Sequence, residues 1–269
     1  MLLKEKYLKR KFRGLALRIF NRLENNNNSD FDTNGEARLV QALVEYFAKQ
    51  SGGGKKNVVA FDLGANVGNY SGLLLSLIKP GDGQFHIHLF EPTKSCFETL
   101  TGKFAGEPRV TLNNLAVSDK EESCEIYYDS EKSTLASLYQ RDLSAYSLKL
   151  SEKETIHTVR LDAYIEAHKI AHINFMKFDI EGHEIPAFRG LGEYLNGDFI
   201  DFIQFEYGGA NLDSHTSLME MYAMLEAMGF VVAKVMPAGL EIRKYQSWMD
   251  NFSYSNYVAI SQNVARMLS

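Results

Sequence analysis

The sequence predicts an α/β fold: a mostly parallel sheet with helices on both faces, preceded by a helical extension. Three observations carry this. From Asn57 onward, apolar runs of strand length alternate with segments of helical periodicity. The first run, Val58-Val59-Ala60-Phe61, is apolar at every position, as a strand covered on both faces must be. Acidic residues and glycines then collect directly after the runs, at the carboxyl ends where open parallel sheets bind ligands.

Composition bounds the function. A chain of 269 residues, 45% hydrophobic and 23% charged, can bury a large core without disulfides or metals. Its two cysteines, Cys96 and Cys124, exclude a disulfide framework and a Cys-rich zinc site, and suit a reducing cytoplasm. A net charge of −5 argues against a dedicated nucleic-acid binder. The start, Met1-Leu2-Leu3-Lys4-Glu5-Lys6, lacks the apolar region of a secretion signal. The longest apolar run, around Leu73-Leu74-Leu75, falls far short of the roughly 18 residues of a membrane span. The expected location is cytoplasmic.

Charge is unevenly placed. Residues 1–24 carry eight Lys or Arg against Glu5 and Glu24, so this arm is +6 and the rest of the chain −11. Leu8, Phe12, Leu15, Ile19 and Leu23 recur at helical spacing, which predicts an amphipathic helix. The simplest expectation is that it packs on the domain behind it. Such a helix can also lie on an anionic membrane, here at the inner face, and a dimer interface or a lid are its other uses. After the polar break Asn25–Asn28, Thr33-Asn34-Gly35-Glu36 has the capping-box pattern and opens a second helix over 34–50. Ser51–Lys56 is a glycine-rich connector, so residues 1–56 form the extension and 57–269 the main domain.

Within that domain the pattern gives a strand at 58–61, a helix at Tyr70–Ile78 stopped by Lys79-Pro80-Gly81, and a strand at 86–90. A helix from Lys94 to Phe104 and a third strand, Val110–Val117, follow. β segments at 126–128 and 156–161 flank a Ser/Leu/Tyr-rich loop. Then come a strand at Asn174–Phe178, a short helix at Pro186–Arg189, a strand at Phe199–Phe205, a helix at Ser217–Met228, and strands at Phe230–Val235 and Tyr257–Ser261.

The strand ends hold the chemistry. After the first stands Asp62-Leu63-Gly64-Ala65-Asn66-Val67-Gly68, a D-x-G-x-x-x-G loop that opens a helix and lets a ligand approach the backbone. Its spacing differs from the G-x-G-x-x-G dinucleotide loop. The second strand ends in Phe90-Glu91-Pro92, where a carboxylate can accept both hydroxyls of a ribose. The third ends in Asn114–Asp119, which places polar groups beside an adenine. The fourth ends in Asp179-Ile180-Glu181-Gly182-His183-Glu184, and the fifth in Glu206-Tyr207-Gly208-Gly209 followed by His215. Glu206 has no packing reason to follow an apolar strand.

These stations together resemble the FkbM family of class I S-adenosylmethionine-dependent methyltransferases, over residues 57–261. The resemblance implies a Rossmann-like sheet of seven strands with an antiparallel last strand, which Tyr257–Ser261 fits. It implies S-adenosylmethionine as cofactor, with Asp62, Gly64, Asn66 and Gly68 along its methionine part, Glu91 on the ribose, Ser118 and Asp119 at the adenine, and Asp179–His183 facing the methyl. O-methylation of a sugar hydroxyl in a glycan, polysaccharide or glycosylated natural product is the implied activity. Acidic groups favour the sulfonium cation electrostatically. A sugar hydroxyl needs a general base, and His183 at a helix start is the first candidate, with Asp179, Glu181 and Glu206 as rivals. Glu206, Tyr207 and His215 read as part of the acceptor pocket, shaped further by loops 129–155 and 207–216.

Metal use has weak support: His86 and His88 share a strand face without further ligands, and Asp179, Glu181 and Glu206 serve equally as bases or clamps. The alternatives are a NAD- or nucleotide-dependent α/β enzyme, and a non-catalytic module that kept the fold.

Overall fold

The computed structural model describes residues 7–50, 57–79, 84–144 and 147–268. Lys4, Lys6, the connector 51–56 and the stop at Pro80-Gly81 lie outside them. The chain forms α1 (Tyr7–Leu23), α2 (Glu36–Gln50), β1 (Asn57–Leu63), α3 (Asn69–Leu77), β2 (Gln84–Phe90), α4 (Lys94–Lys103), β3 (Val110–Asn113) and β4 (Ala116–Val117). It continues with β5 (Ser123–Tyr128), β6 (Glu152–Val159), α5 (Leu161–Ala167), β7 (Ile173–Phe178), α6 (Glu184–Gly190), β8 (Ile200–Tyr207) and α7 (Gly209–Asp213). Last come α8 (Leu218–Ala227), β9 (Phe230–Met236), β10 (Gly239–Ile242), β11 (Ser255–Ser261) and α9 (Gln262–Leu268).

The main sheet runs β10-β9-β11-β8-β7-β1-β2-β3. Strands β3, β2, β1, β7 and β8 are parallel, and β11 enters antiparallel between β8 and β9. The seven expected strands are therefore present with the expected reversal. The eighth, β10, is a short edge strand turned back on β9, and nothing in its four residues announced it. Chain order reverses between β1 and β7, so the ligand crevice of such a sheet lies at their carboxyl ends.

The apolar runs fill both faces. Phe61, Leu63, Phe178, Phe205 and Tyr257 pack on one side, while Val58, Ala60, Phe175, Phe202 and Val258 meet α2 on the other. All six residues of β7 are buried. Helix α2 buries Leu39, Val40, Leu43, Val44 and Phe47, each contributing about 1.5–3 kcal/mol.

Two elements depart from expectation for local reasons. The strand expected at 110–117 breaks at Asn114, whose amide donates to Glu91 O and Pro92 O, both at 2.9 Å, and so turns the chain out of the sheet. Ala116–Val117 then joins a small second sheet, β4-β6-β5. The Thr33 capping box does not form. Thr33 donates to Asp30 Oδ2, while Asn34 Oδ1 caps Glu36 N at 2.9 Å, because the Glu36 carboxylate is drawn inward to Gln204 Nε2 at 2.7 Å.

Among its described residues, helix α1 leaves most of its apolar face uncovered. Phe12 is 65% exposed, Ile19 52% and Leu23 71%. The helix touches the body through Phe20, edge-on to Trp248. Among the described residues no helix is long and apolar enough to cross a membrane.

The turn after β1 is the tightest point of the crevice. Gly64 N and Ala65 N donate to Phe90 O at 2.9 and 3.0 Å, pulling the turn against β2. Gly64 has φ +83°, and a Cβ there would lie 1.9 Å from Asp179 O. Gly64→Ala is expected to cost at least about 2 kcal/mol, combining left-handed strain with displacement of the β7 end. Urea denaturation measures it; wild-type stability would show that the turn yields freely.

Candidate active site

A cavity of about 350 Å³ opens at the carboxyl ends of β1, β2, β7 and β8. One end is apolar, walled by Leu115, Ala116, Val117, Ile126 and Leu138; the other is acidic.

On the β1 side, Asp62 is 2% exposed. Its Oδ2 accepts from Ser71 Oγ at 2.6 Å, while Oδ1 has no hydrogen-bond partner. Burial raises its carboxyl, against the pull of Lys177 and Ser71. Asn66 adopts φ +47° and donates its backbone N–H to Glu91 Oε2 at 2.9 Å. Glu91 Oε1 accepts from Thr93 N and Oγ1, so its carboxylate is fixed at the cavity wall, and burial raises its pKa despite these bonds. Asp62, Gly64, Asn66 and Glu91 thus meet in one cavity, as expected.

Gly68 does not. It opens α3 at φ +74° and turns toward Leu100 and Phe104, so its role is the turn. Ser118 and Asp119 are also off the wall, which at that station is Leu115–Val117. The cause is the shift of Ala116–Val117 into the second sheet. Ser118 Oγ instead sits 3.0 Å from His183 Nε2.

The acidic end is organised by a buried cation. Lys177 Nζ lies 2.5 Å from Asp179 Oδ2 and 4.9 Å from the Tyr70 ring centroid. Burial alone would lower its amine, yet Asp179, Asp62, Glu36 and Glu206 hold it above the usual range. Around it, carboxylate oxygens of Asp179, Glu181 and Glu206 come within 4.8 Å of one another. Burial, then Asp179, push Glu181 up to about 8, although Arg141 NH1 binds its Oε2 at 2.6 Å. Glu206 stands well above its ordinary value through burial, Asp179 and Glu181; its Oε1 accepts from the Tyr254 hydroxyl at 2.8 Å.

His183 lines the cavity at the start of α6. It is neutral, as expected, but burial and not the helix end is the cause, lowering it to about 4. Both ring nitrogens are engaged, Nε2 with Ser118 Oγ and Nδ1 with the Tyr139 hydroxyl at 3.0 Å. This corrects its ranking as first base: the ring is held, and a group this weakly basic takes a proton poorly.

Tyr207 and His215 do not reach the cavity. Successive strand residues face opposite sides, so with Glu206 inward, Tyr207 points away and donates to Asp250 Oδ1 at 2.9 Å. His215 is exposed on the turn beyond α7, at φ +57°.

Sequence reasoning missed Lys177, Glu36 and Tyr254, all on the cavity wall. A lysine inside the apolar run Asn174–Phe178 was the one available signal, since lysine is almost never buried unless paired. Four contacts tie the loop between β5 and β6 to the site: Asn66 Nδ2 to Ser133 O, Ser137 Oγ to Glu181 O, Tyr139 to His183, and Arg141 to Glu181.

The cavity therefore suits a ligand with a cationic part and an apolar part. The orphaned Asp62 oxygen and the incompletely neutralised carboxylates favour the cation.

Comparison with known proteins places the chain in a family. The methyltransferase FkbM domain family matches residues 62–232. The hexuronic acid methyltransferase AglP of Haloferax volcanii is 23% identical over 189 residues, covering 70% of this chain and 69% of its own. Among solved structures, the methyltransferase FkbM from Methylobacillus flagellatus aligns at TM-score 0.48 and 14% identity, over 79% of this chain and 47% of that one. This chain thus spans about half of that structure. Aeropyrum pernix fibrillarin, solved with natively bound S-adenosyl-L-methionine, aligns at TM-score 0.38 and 9% identity, over 77% and 67%.

Lys177→Met leaves buried carboxylates uncompensated and is expected to destabilise by about 3–5 kcal/mol near pH 8. The loss shrinks toward pH 5, where Glu181, raised to about 8, is already protonated. Denaturation at both pH values checks it; a loss independent of pH would mean Lys177 acts through packing alone.

Proposed function

The chain belongs to the methyltransferase FkbM family and is a methyltransferase; from this we propose that it uses S-adenosylmethionine to methylate a sugar hydroxyl, with a hexuronic acid in a glycan as the first acceptor to test. The observation that carries the reading is the orphaned Asp62 oxygen in an acidic cavity whose other end is apolar. The acceptor class is supported by the hexuronic acid methyltransferase resemblance. The nicotinamide and non-catalytic alternatives give way to the family assignment.

Asp62 and Asn66 would hold the methionine part, Glu91 the ribose, and Leu115–Val117 the adenine. When bound, the cofactor supplies an electrophilic methyl group on a sulfonium. Glu206 is our candidate to take the hydroxyl proton. It emerges from β8 into the cavity, and its raised pKa makes its carboxylate a stronger base than an exposed one. Glu181 is pinned by Arg141, which suits it to orient the acceptor. A positive charge bound beside Asp62 and Asp179 lowers the cost of ionising Glu206, so the base is readied as the site fills. In-line alignment of acceptor and methyl supplies much of the remaining rate.

Calorimetric titration should show S-adenosylmethionine binding and no NAD binding, and Glu91→Ala should weaken it at least about tenfold. The opposite ligand preference would overturn the reading. With labelled methyl donor and glycans ending in hexuronic acid or in neutral hexose, Glu206→Gln should lower kcat by roughly 10²–10⁴ while cofactor affinity stays within about threefold. Full activity in that variant would remove Glu206 as base, and transfer to neutral hexose alone would remove the hexuronic acceptor.

A further inference from the structure

We propose that α1 is a docking helix for an anionic lipid bilayer. The proposal stands on the exposure and charge of this helix and is independent of the reaction. Helix α1 lies wholly before the family-matched residues 62–232 and contributes nothing to the cavity.

Three features define the surface. At 100° per residue, Leu15, Ile19, Phe12 and Leu23 fall within an arc of about 80°. All four are large and exposed. On one flank of this stripe stand Arg18, Lys11 and Arg22, and on the other Lys9 and Arg13, with Phe20 between them. Tyr7–Leu23 holds six basic residues and no acid, in a chain whose net charge is −5. An apolar stripe with cations on both margins matches an anionic bilayer: the stripe enters the acyl boundary while the basic stems reach back to the headgroups.

Charge decides between lipid and a second copy of the chain. An isologous contact through this stripe would set basic margins against basic margins across the symmetry axis. A leaflet containing anionic lipid attracts both margins at once.

The helix is also held in a fixed pose. At its end, Glu24 accepts from Arg243 and lies 3.6 Å from Lys234 Nζ. Asn25 Nδ2 donates to Asn34 O and Val235 O at 2.7 and 3.1 Å, and Lys234 Nζ donates to Asn26 Oδ1 at 2.6 Å. From this anchor the chain runs directly to Ser29, Phe31 and Glu36 on the cavity wall. Docking therefore sets the orientation of the cavity mouth relative to the bilayer.

The protein carries its own reporter. Trp248 is its single tryptophan, 47% exposed and 5.6 Å from the Phe20 ring. The full chain should float with phosphatidylcholine vesicles containing about 30% phosphatidylglycerol, at least about tenfold more than with phosphatidylcholine alone. Trp248 emission should move to the blue on binding. Leu15→Glu with Ile19→Glu, and separately Lys9→Glu with Arg13→Glu, should each abolish flotation. These side chains are exposed, so the thermal midpoint and S-adenosylmethionine affinity serve as folding controls and should not change. Failure of the intact chain to float with the anionic vesicles overturns the proposal, as does flotation undiminished in both double variants. A dimer that the same substitutions dissociate, without vesicle binding, assigns the stripe to a second copy instead.

Discussion

Everything at the carboxyl ends of the strands depends on one buried cation. Lys177 comes near the end of a central strand buried at every position, and its ammonium sits where the approaches of β1, β7 and β8 would otherwise bring carboxylates together uncompensated. A lone charge there would be intolerable and a neutral residue would force the acids to hold protons. The compensation is deliberately short of complete in effect: Glu181 and Glu206 remain raised, and Asp62 keeps an unpaired oxygen. The folded chain thus stores an electrostatic deficit, and the binding of any cation here would be linked to proton release.

The site is wider than the family-matched segment. Gln204 accepts from the Tyr70 hydroxyl at 2.7 Å and donates to Glu36 and to Asn256 Oδ1, and Asn256 donates to the Tyr254 hydroxyl that bonds Glu206. This chain of hydrogen bonds joins α2, α3, β8 and β11 beneath the cavity. Glu36 precedes the matched residues and Tyr254 follows them, so the network that fixes Glu206 is closed only by parts of the chain the family pattern does not contain.

The sequence made legible what depends on chain order and strand identity. Val58–Phe61 announced a strand buried on both faces, and the rule that ligands gather at carboxyl ends then picked out Asp62, Glu91, Asp179, Glu181 and Glu206, all found on one cavity wall. Illegible was whatever depends on which way a side chain turns. Tyr207 is one residue from Glu206 and faces the opposite side. Ser118 followed its strand into a second sheet because Asn114 found two carbonyls to bond. His183 was read from the helix start, yet its environment is set by Ser118 and Tyr139, 65 and 44 residues away in sequence. For α1 the period fixed a face, but periodicity says nothing about what covers it.

The loop between β5 and β6 grips the site through side chains and one backbone carbonyl, and not with a sheet ladder. Ser133, Tyr139 and Arg141 close on Asn66, His183 and Glu181, while the two strands that carry the loop belong with β4 to the second sheet. Insertion, deletion or exchange within this span leaves every hydrogen bond of the main sheet in place. The roof of the cavity can therefore change in length and composition while the strand ends beneath it stay fixed.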